Sequence, residues 1–457
     1  MSAISMPDTE ARLSPEARRS VVGGVISLLV DSYDIYLPAL VLPAAMGYFE
    51  PSSMSPSSKA TLVTVIFTVT LLGRPIGGPL FGNLCDRFGR KKVTMIAGSG
   101  FTVATLLMAC LPGYDQWGYG ALAALIALRL VGGIFLGGGY AGPVPLAIER
   151  SPARLRGLVG GLVSAGAPVA ITFISITQLT VLKRMSPGSF ETWGWRLPFL
   201  FGVVLGVAYL YYYSRVPEVD IESLASSRES RRAPLLQLFT RAHIRSLLQV
   251  FLLMTGMWFA AQMALSFLPG LLIEVLHQDP SDVSTMEIVA NLATVAGMII
   301  YGIIGQRIGR RRMLLVASAL ITVFESLAYL AMVLFAKGDA GFLPVGIMAV
   351  IMFFLANSPL SCVVVYLNER FTYGVRSSAY GTAYTVSLIL PAMYTVWIGA
   401  LRTAMPYEYT ALVLIVLGGA LFFTAAYIGP DTRKTSELGE PQAVETAASG
   451  VVAAETA

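Results

Sequence analysis

The side chains with most to say about chemistry are acids in a place where acids are costly. Val30-Asp31-Ser32-Tyr33-Asp34-Ile35-Tyr36 lies inside an apolar run from Val21 to Met46. A carboxylate at bilayer depth costs about 3 kcal/mol on insertion scales, so two of them need a reason. Positions i and i+3 share a helix face. Asp31 and Asp34 are therefore expected to look into one cavity, with Tyr33 between them as a contact for its occupant. Arg129 is the expected partner. Asp31 lies ten residues past Val21, and Arg129 ten residues past Tyr119 on a span running the other way, which puts both roughly 15 Å deep. An Asp–Arg pair removes two unpaired charges from an apolar interior. Protonating the acid breaks the pair and frees the guanidinium for an anion, so these residue types could couple a proton to a carboxylate. A fixed bridge that only ties two helices together is the alternative. Arg74 is also deep, and either binds substrate or pairs with Asp34.

The two histidines, His243 and His277, lie near loops. A proton carrier within the bilayer must then be a carboxylate, and Asp31, Asp34 and Glu325 are the deepest. Glu325 is expected to pack or snorkel. In the second half of the chain the deep polar candidates are uncharged: Trp258, Gln262, Asn357, Ser358, Ser361, Tyr380 and Tyr384. Aromatic rings and amides there could orient a small organic molecule. The scattered Cys85, Cys110 and Cys362 have no metal-ligand spacing, so neither a metal site nor a disulfide is expected.

These side chains have to be positioned by membrane helices. Of 457 residues, 55% are hydrophobic and 13% charged, and the mean hydropathy is +0.69. A helical span needs roughly 20 apolar residues. Twelve such runs start near residues 20, 60, 93, 119, 157, 195, 247, 284, 313, 341, 376 and 408. They leave no room for a soluble catalytic domain, so an enzyme is not expected. The first residues are polar, with no cleavable leader ahead of the first run. With the N-terminus inside, 24 of the 32 Lys and Arg fall on the cytoplasmic side and five outside. That asymmetry predicts cytoplasmic termini and explains the net charge of +5 without a nucleic-acid partner.

The chain repeats itself. Gly82-Asn83-Leu84-Cys85-Asp86-Arg87-Phe88-Gly89-Arg90 and Gly302-Ile303-Ile304-Gly305-Gln306-Arg307-Ile308-Gly309-Arg310 lie 220 residues apart, as do Glu149-Arg150 and Glu369-Arg370. A duplicated six-helix unit follows. The expected organisation is a cytoplasmic arm (1–19), a six-helix bundle (20–213), a cytoplasmic linker (214–246), a second bundle (247–428) and a tail (429–457). Two six-helix halves are the layout of a secondary transporter that rocks around a central site.

The residues resemble the major facilitator superfamily. Gly82 to Lys92 looks like its signature loop, and Arg129-Leu130-Val131-Gly132-Gly133 like its fourth-helix motif. Arg74-Pro75-Ile76-Gly77-Gly78, Trp193-Gly194-Trp195-Arg196 and the paired aspartates are similar to the metabolite:H⁺ symporters. The resemblance implies an all-α membrane protein of twelve transmembrane helices in two pseudo-symmetric bundles. It implies a loop in which Gly82, Asp86, Arg87, Gly89 and Arg90 stabilise the outward-facing state. Gln306 departs from the pattern, which has an acid there, and suggests that the second loop cannot substitute for the first. The resemblance favours Asp34 as proton carrier, with Asp31 helping to position Arg129 or Arg74.

The expected function is proton-coupled uptake of a small organic acid anion, a mono- or dicarboxylate, by alternating access. The expected setting is the inner membrane, and the expected working unit a monomer in the lipid bilayer, with protons as coupling ion and no other cofactor. A symporter of osmolytes or zwitterions is the alternative. A drug:H⁺ antiporter and a non-transporting sensor rank below it.

Overall fold

The computed structural model describes residues 13–51, 54, 56–217, 234–338 and 340–432. Most of the expected N-terminal arm (1–12), the middle of the linker (218–233) and the tail from 433 lie outside the described residues. Those described are helical, with no strand among them. Eleven stretches among them are long and apolar enough to cross a membrane. The run expected near residue 60 falls on the 33-residue helix Pro56–Phe88.

In chain order the long helical elements are α1 (Pro15–Val41), α2 (Pro56–Phe88) and α3 (Arg90–Ala109). They continue as α4 (Tyr119–Glu149), α5 (Ala153–Thr177), α6 (Phe190–Tyr213), α7 (Ile244–Val275) and α8 (Pro280–Ile308). The last are α9 (Arg310–Lys337), α10 (Phe342–Arg370), α11 (Tyr373–Leu401) and α12 (Tyr407–Ile428). Local chemistry sets several ends. Ser14 caps α1 by accepting from the Ala17 N–H at 3.1 Å, and Pro15 opens the first turn, where a missing N–H costs nothing. The helix thus begins five residues earlier than its apolar run. Gly89 and Gly309 turn the chain into α3 and α9 at φ of 99° and 101°, a left-handed region that glycine enters without penalty.

Those two glycines are 220 residues apart, and the same spacing recurs in the contacts. Buried Arg90 bridges Glu149, and Arg310 bridges Glu369 at 3.4 Å. A Cβ at Gly82 would sit 2.5 Å from the Ser377 carbonyl, and one at Gly302 would sit 2.2 Å from the Gly157 carbonyl. Both glycines let helices of opposite halves approach backbone to backbone. Asp86 accepts from the Ser377 N–H at 3.1 Å, the Ser378 N–H at 2.7 Å and the Ser378 hydroxyl at 2.7 Å. Its counterpart Gln306 accepts from the Gly157 N–H at 3.0 Å. The departure at Gln306 therefore does not lose the cross-half contact, because an amide oxygen accepts a backbone N–H as a carboxylate oxygen does. What it loses is the charge, and with it the stronger form of the bond. Arg376 of the second half also reaches Glu149 of the first.

These contacts clasp the two halves at the end that carries both signature loops. The N-terminus of α1 is at that end too, since Arg150 lies 3.8 Å from Glu16. Within the loop, Arg90 is buried, with its guanidinium 4.8 Å from the Tyr373 ring centre. Arg87 is exposed and lies over the Phe88 ring, outside the clasp.

Asp86→Asn should loosen this clasp on one side only. Amide hydrogen exchange at Ser377 and Ser378 should speed about tenfold or more, since their opening no longer breaks charge-assisted bonds. Exchange at Gly157, held by Gln306, should stay unchanged. Equal protection of Ser377 and Ser378 in both proteins would show that Asp86 does not hold the halves together.

Candidate functional site

Above the clasp, where the two halves meet, lies a partly open cavity with about 610 Å³ of unfilled space, its open mouth included. On α1 it is lined by Leu28, Asp31, Ser32, Ile35 and Tyr36. Their spacing of three and four is that of a single helix face. Tyr33 and Asp34 fall off that stripe. Arg74 of α2 is the one basic side chain lining the cavity among the described residues.

Asp31 and Arg74 form the pair, with Oδ2 and Nη2 3.7 Å apart and both side chains buried. The contact is ionic rather than a direct hydrogen bond. Asp31 Oδ1 and Arg74 Nε have no hydrogen-bond partner among the described residues, so each group keeps polar capacity in reserve. Aromatic rings frame the guanidinium. It lies 5.1 Å from the centre of the Tyr140 ring, a distance for cation–π attraction. Tyr140 packs on Tyr384 at 4.8 Å, and Tyr384 stacks on Tyr380 at 5.4 Å. Trp258 meets Tyr384 edge-on and donates Nε1–H to its carbonyl at 3.2 Å.

The expected pairing of Asp31 with Arg129 is therefore corrected, as is that of Arg74 with Asp34. Equal depth is a coordinate along the membrane normal alone. Residues three apart on a helix still differ by about 60° in azimuth, and that angle separates the two acids. Asp34 points away from the cavity, where it accepts from the Thr105 hydroxyl of α3. Arg129 donates from Nη1 to the Asp34 backbone carbonyl at 3.3 Å, not to the carboxylate, and Nε meets Met108 Sδ at 2.9 Å. Its guanidinium also lies 5.8 Å from the Phe199 ring centre. Neither Asp34 nor Arg129 lines the cavity.

Two further expectations change. Tyr33 is buried in the first bundle, where its hydroxyl donates to the Pro198 carbonyl at 3.0 Å and its ring packs edge-on against Phe201. Two residues from Asp31, it faces the other side of α1. Gln262 does not line the cavity either. Its Oε1 is taken up along its own helix by the Ser266 hydroxyl at 3.4 Å, where a π-helical turn, Met263–Phe267, begins at the next residue. Trp258, Asn357 and Tyr384 do line the cavity.

The sequence reading missed Ser32, Tyr36, Asn291 and Thr294, all of which line the cavity. The signal was present: Asn291, Thr294 and Met298 lie three and four residues apart on α8. Glu325 ends a π-helical turn of α9, is fully buried, and has no hydrogen bond to either oxygen. Snorkelling is excluded by that burial.

The comparisons decide the family. The family model described as Major Facilitator Superfamily matches residues 24–336. The chain belongs to the major facilitator superfamily. It is a multi-pass membrane transporter and not an enzyme. It is similar to the inner membrane metabolite transport protein YhjE of Escherichia coli K12, at 27% identity over 441 residues covering 94% of this chain and 98% of that protein. It is also similar to the proline/betaine transporter of the same strain, at 23% identity with 87% and 81% covered. Its fold matches the proton:xylose symporter XylE bound to 6-bromo-6-deoxy-D-glucose, with TM-score 0.74, 16% identity, and 94% and 100% of the chains covered.

The two arginines should answer differently to removal. Arg129 is enclosed by protein, so Arg129→Gln should lower thermal stability in detergent by an amount equivalent to about 3 kcal/mol, the scale for stripping a buried charge network of one partner. Arg74→Gln leaves Asp31 free to take up a proton and become neutral, so no charge stays unpaired and it should cost less than half as much. Equal losses would place both arginines in one kind of environment.

Proposed function

We propose that this transporter carries a small organic acid anion inward together with a proton, by alternating access around the Asp31–Arg74 pair. That pair in the cavity is the observation that carries the reading. The resting site is electroneutral, with Asp31 ionised beside Arg74. A proton on Asp31 alone leaves a bare guanidinium, and an anion on Arg74 alone leaves an excess negative charge. Each half-loaded state holds an uncompensated charge in an apolar surround, at a cost of several kcal/mol. The proton and anion together restore neutrality. The states free to interchange are then empty and doubly loaded, which is the requirement for symport. Asp31 rather than Asp34 takes the proton, because Asp31 shares the cavity with the cation it must release. The Lys and Arg bias supports a cytoplasmic clasped end, and in this reading the clasp closes the site toward the inside of the inner membrane.

A second reading has one observation in its favour. Asp31 and Arg74 sit together beside the Trp258, Tyr36 and Tyr384 rings, and a zwitterion could engage both charges, with its cationic end against an aromatic face. The similar proline/betaine transporter gives that reading its substrate class.

Proteoliposomes separate the two. For an anion symporter, uptake should rise with an inward proton gradient and collapse with a protonophore. Asp31→Asn mimics the protonated acid, so counterflow exchange should persist while gradient-driven accumulation vanishes. Arg74→Gln should abolish anion binding. Asp34→Asn should keep gradient-driven accumulation. Loss of binding, not only accumulation, in Asp31→Asn would favour the zwitterion. Full accumulation by Asp31→Asn would sink both.

A further inference from the structure

The polar groups of the cavity differ in kind between the two halves. On α8, Asn291 Nδ2 donates to the Glu287 carbonyl and Thr294 Oγ1 to the Ala290 carbonyl, each at 2.8 Å. On α10, Asn357 Nδ2 donates to the Phe353 carbonyl at 3.0 Å. Each side chain turns a donor back onto its own helix, four residues earlier. Exchanging amide nitrogen and oxygen would set carbonyl against carbonyl, so the hydrogen-bond pattern fixes the assignment. What remains for the cavity is acceptor-rich. With the Tyr384 hydroxyl counted, two amide oxygens and two hydroxyl oxygens offer about eight lone pairs against three remaining N–H and O–H donors. Trp258 adds no donor, since its N–H is held by Tyr384. No Lys, Arg or His of the second half lines the cavity among the described residues.

A carboxylate is acceptor-only and needs donors or a cation, whereas a hydroxyl or amino group donates. Resting on the anion reading above, we infer that the substrate is a monocarboxylate: its carboxylate meets Arg74, and its far end carries hydroxyl donors for Asn291, Thr294 and Asn357. A dicarboxylate of the same length is disfavoured, because its second carboxylate faces acceptors with no cation to offset them. The remaining lining is largely apolar, including Leu28, Ile171, Met298, Phe353 and Leu360. It suits a carbon skeleton between the two polar ends.

The test is a calorimetric binding series on the purified transporter. It uses sets of acids of equal carbon count: an unsubstituted monocarboxylate, its hydroxylated counterpart, and the dicarboxylate. The hydroxylated acid should bind about tenfold tighter than the unsubstituted one, the scale of one or two added hydrogen bonds. The dicarboxylate should bind more weakly than either. Thr294→Val and Asn291→Leu should shrink the hydroxyl preference, the ratio of the two affinities, to about threefold or less, and a cooperative thermal unfolding transition in detergent shows that they fold. Thr294→Ser, which keeps the hydroxyl, should retain the preference. A dicarboxylate that binds as tightly as the hydroxylated acid overturns the inference, as does a preference that survives both substitutions. If Arg74→Gln binds every acid as the unaltered protein does, the anion reading itself fails. If Arg74→Gln loses all of them while hydroxylation makes no difference, only the inference about the far end falls.

Discussion

Everything in this molecule is arranged around the cost of leaving a charge unpaired in an apolar interior. Asp31 and Arg74 solve that problem for each other at 3.7 Å, and the solution is conditional. It holds while the acid is ionised and fails when the acid is protonated. On the proposed function, a contact worth little as glue becomes a logic element, since a proton changes what else the cavity must hold. The Tyr140 ring, backed by Tyr384, gives the guanidinium a second contact that does not depend on the acid. The enclosed neighbours Asp34 and Arg129 do the opposite. Each is tied to groups within the first bundle, and neither is offered to the cavity.

A conditional charge pair drives transport only if the cavity can change sides. In the proposed cycle the clasp supplies one of the two stops. Its strength is asymmetric by composition: Asp86 brings three charge-assisted bonds to α11, while Gln306 brings one neutral bond to α5. The glycines at 82 and 302 allow the close backbone approach on which both contacts depend. A clasp of hydrogen bonds, ion pairs and close-packed glycines is suited to opening and closing as a unit. The duplicated geometry gives the two halves matching surfaces about which to rock.

Much of the fold was legible in the sequence. Apolar runs about 20 residues long announce membrane helices, because no other element satisfies its backbone in lipid. The 220-residue spacing of the loop motifs announces the duplication. The site was legible in type but not in pairing. Two acids and two arginines at similar depth allow two assignments, and depth alone chose wrongly. The azimuth around α1 decides, and the stripe Leu28, Asp31, Ser32, Ile35, Tyr36 encodes it. Tyr33 was misplaced for the same reason. Asn291 and Thr294 escaped notice because single small polar residues in an apolar span look alike whether they face lipid, protein or a cavity. No sequence pattern distinguished Glu325 at a membrane face from Glu325 sealed inside a π-helical turn.

The central claim is thermodynamic, that anion binding and protonation of Asp31 are one event. It is tested most directly by the protons exchanged when ligand binds to the purified transporter. The measurement is a pH-sensitive dye in weakly buffered detergent solution, at a pH where the free site is deprotonated. The account predicts uptake of about one proton for each anion bound, and none in Asp31→Asn even though that variant still binds. Anion binding to the unaltered protein without proton uptake, or the same uptake in Asp31→Asn, would contradict it.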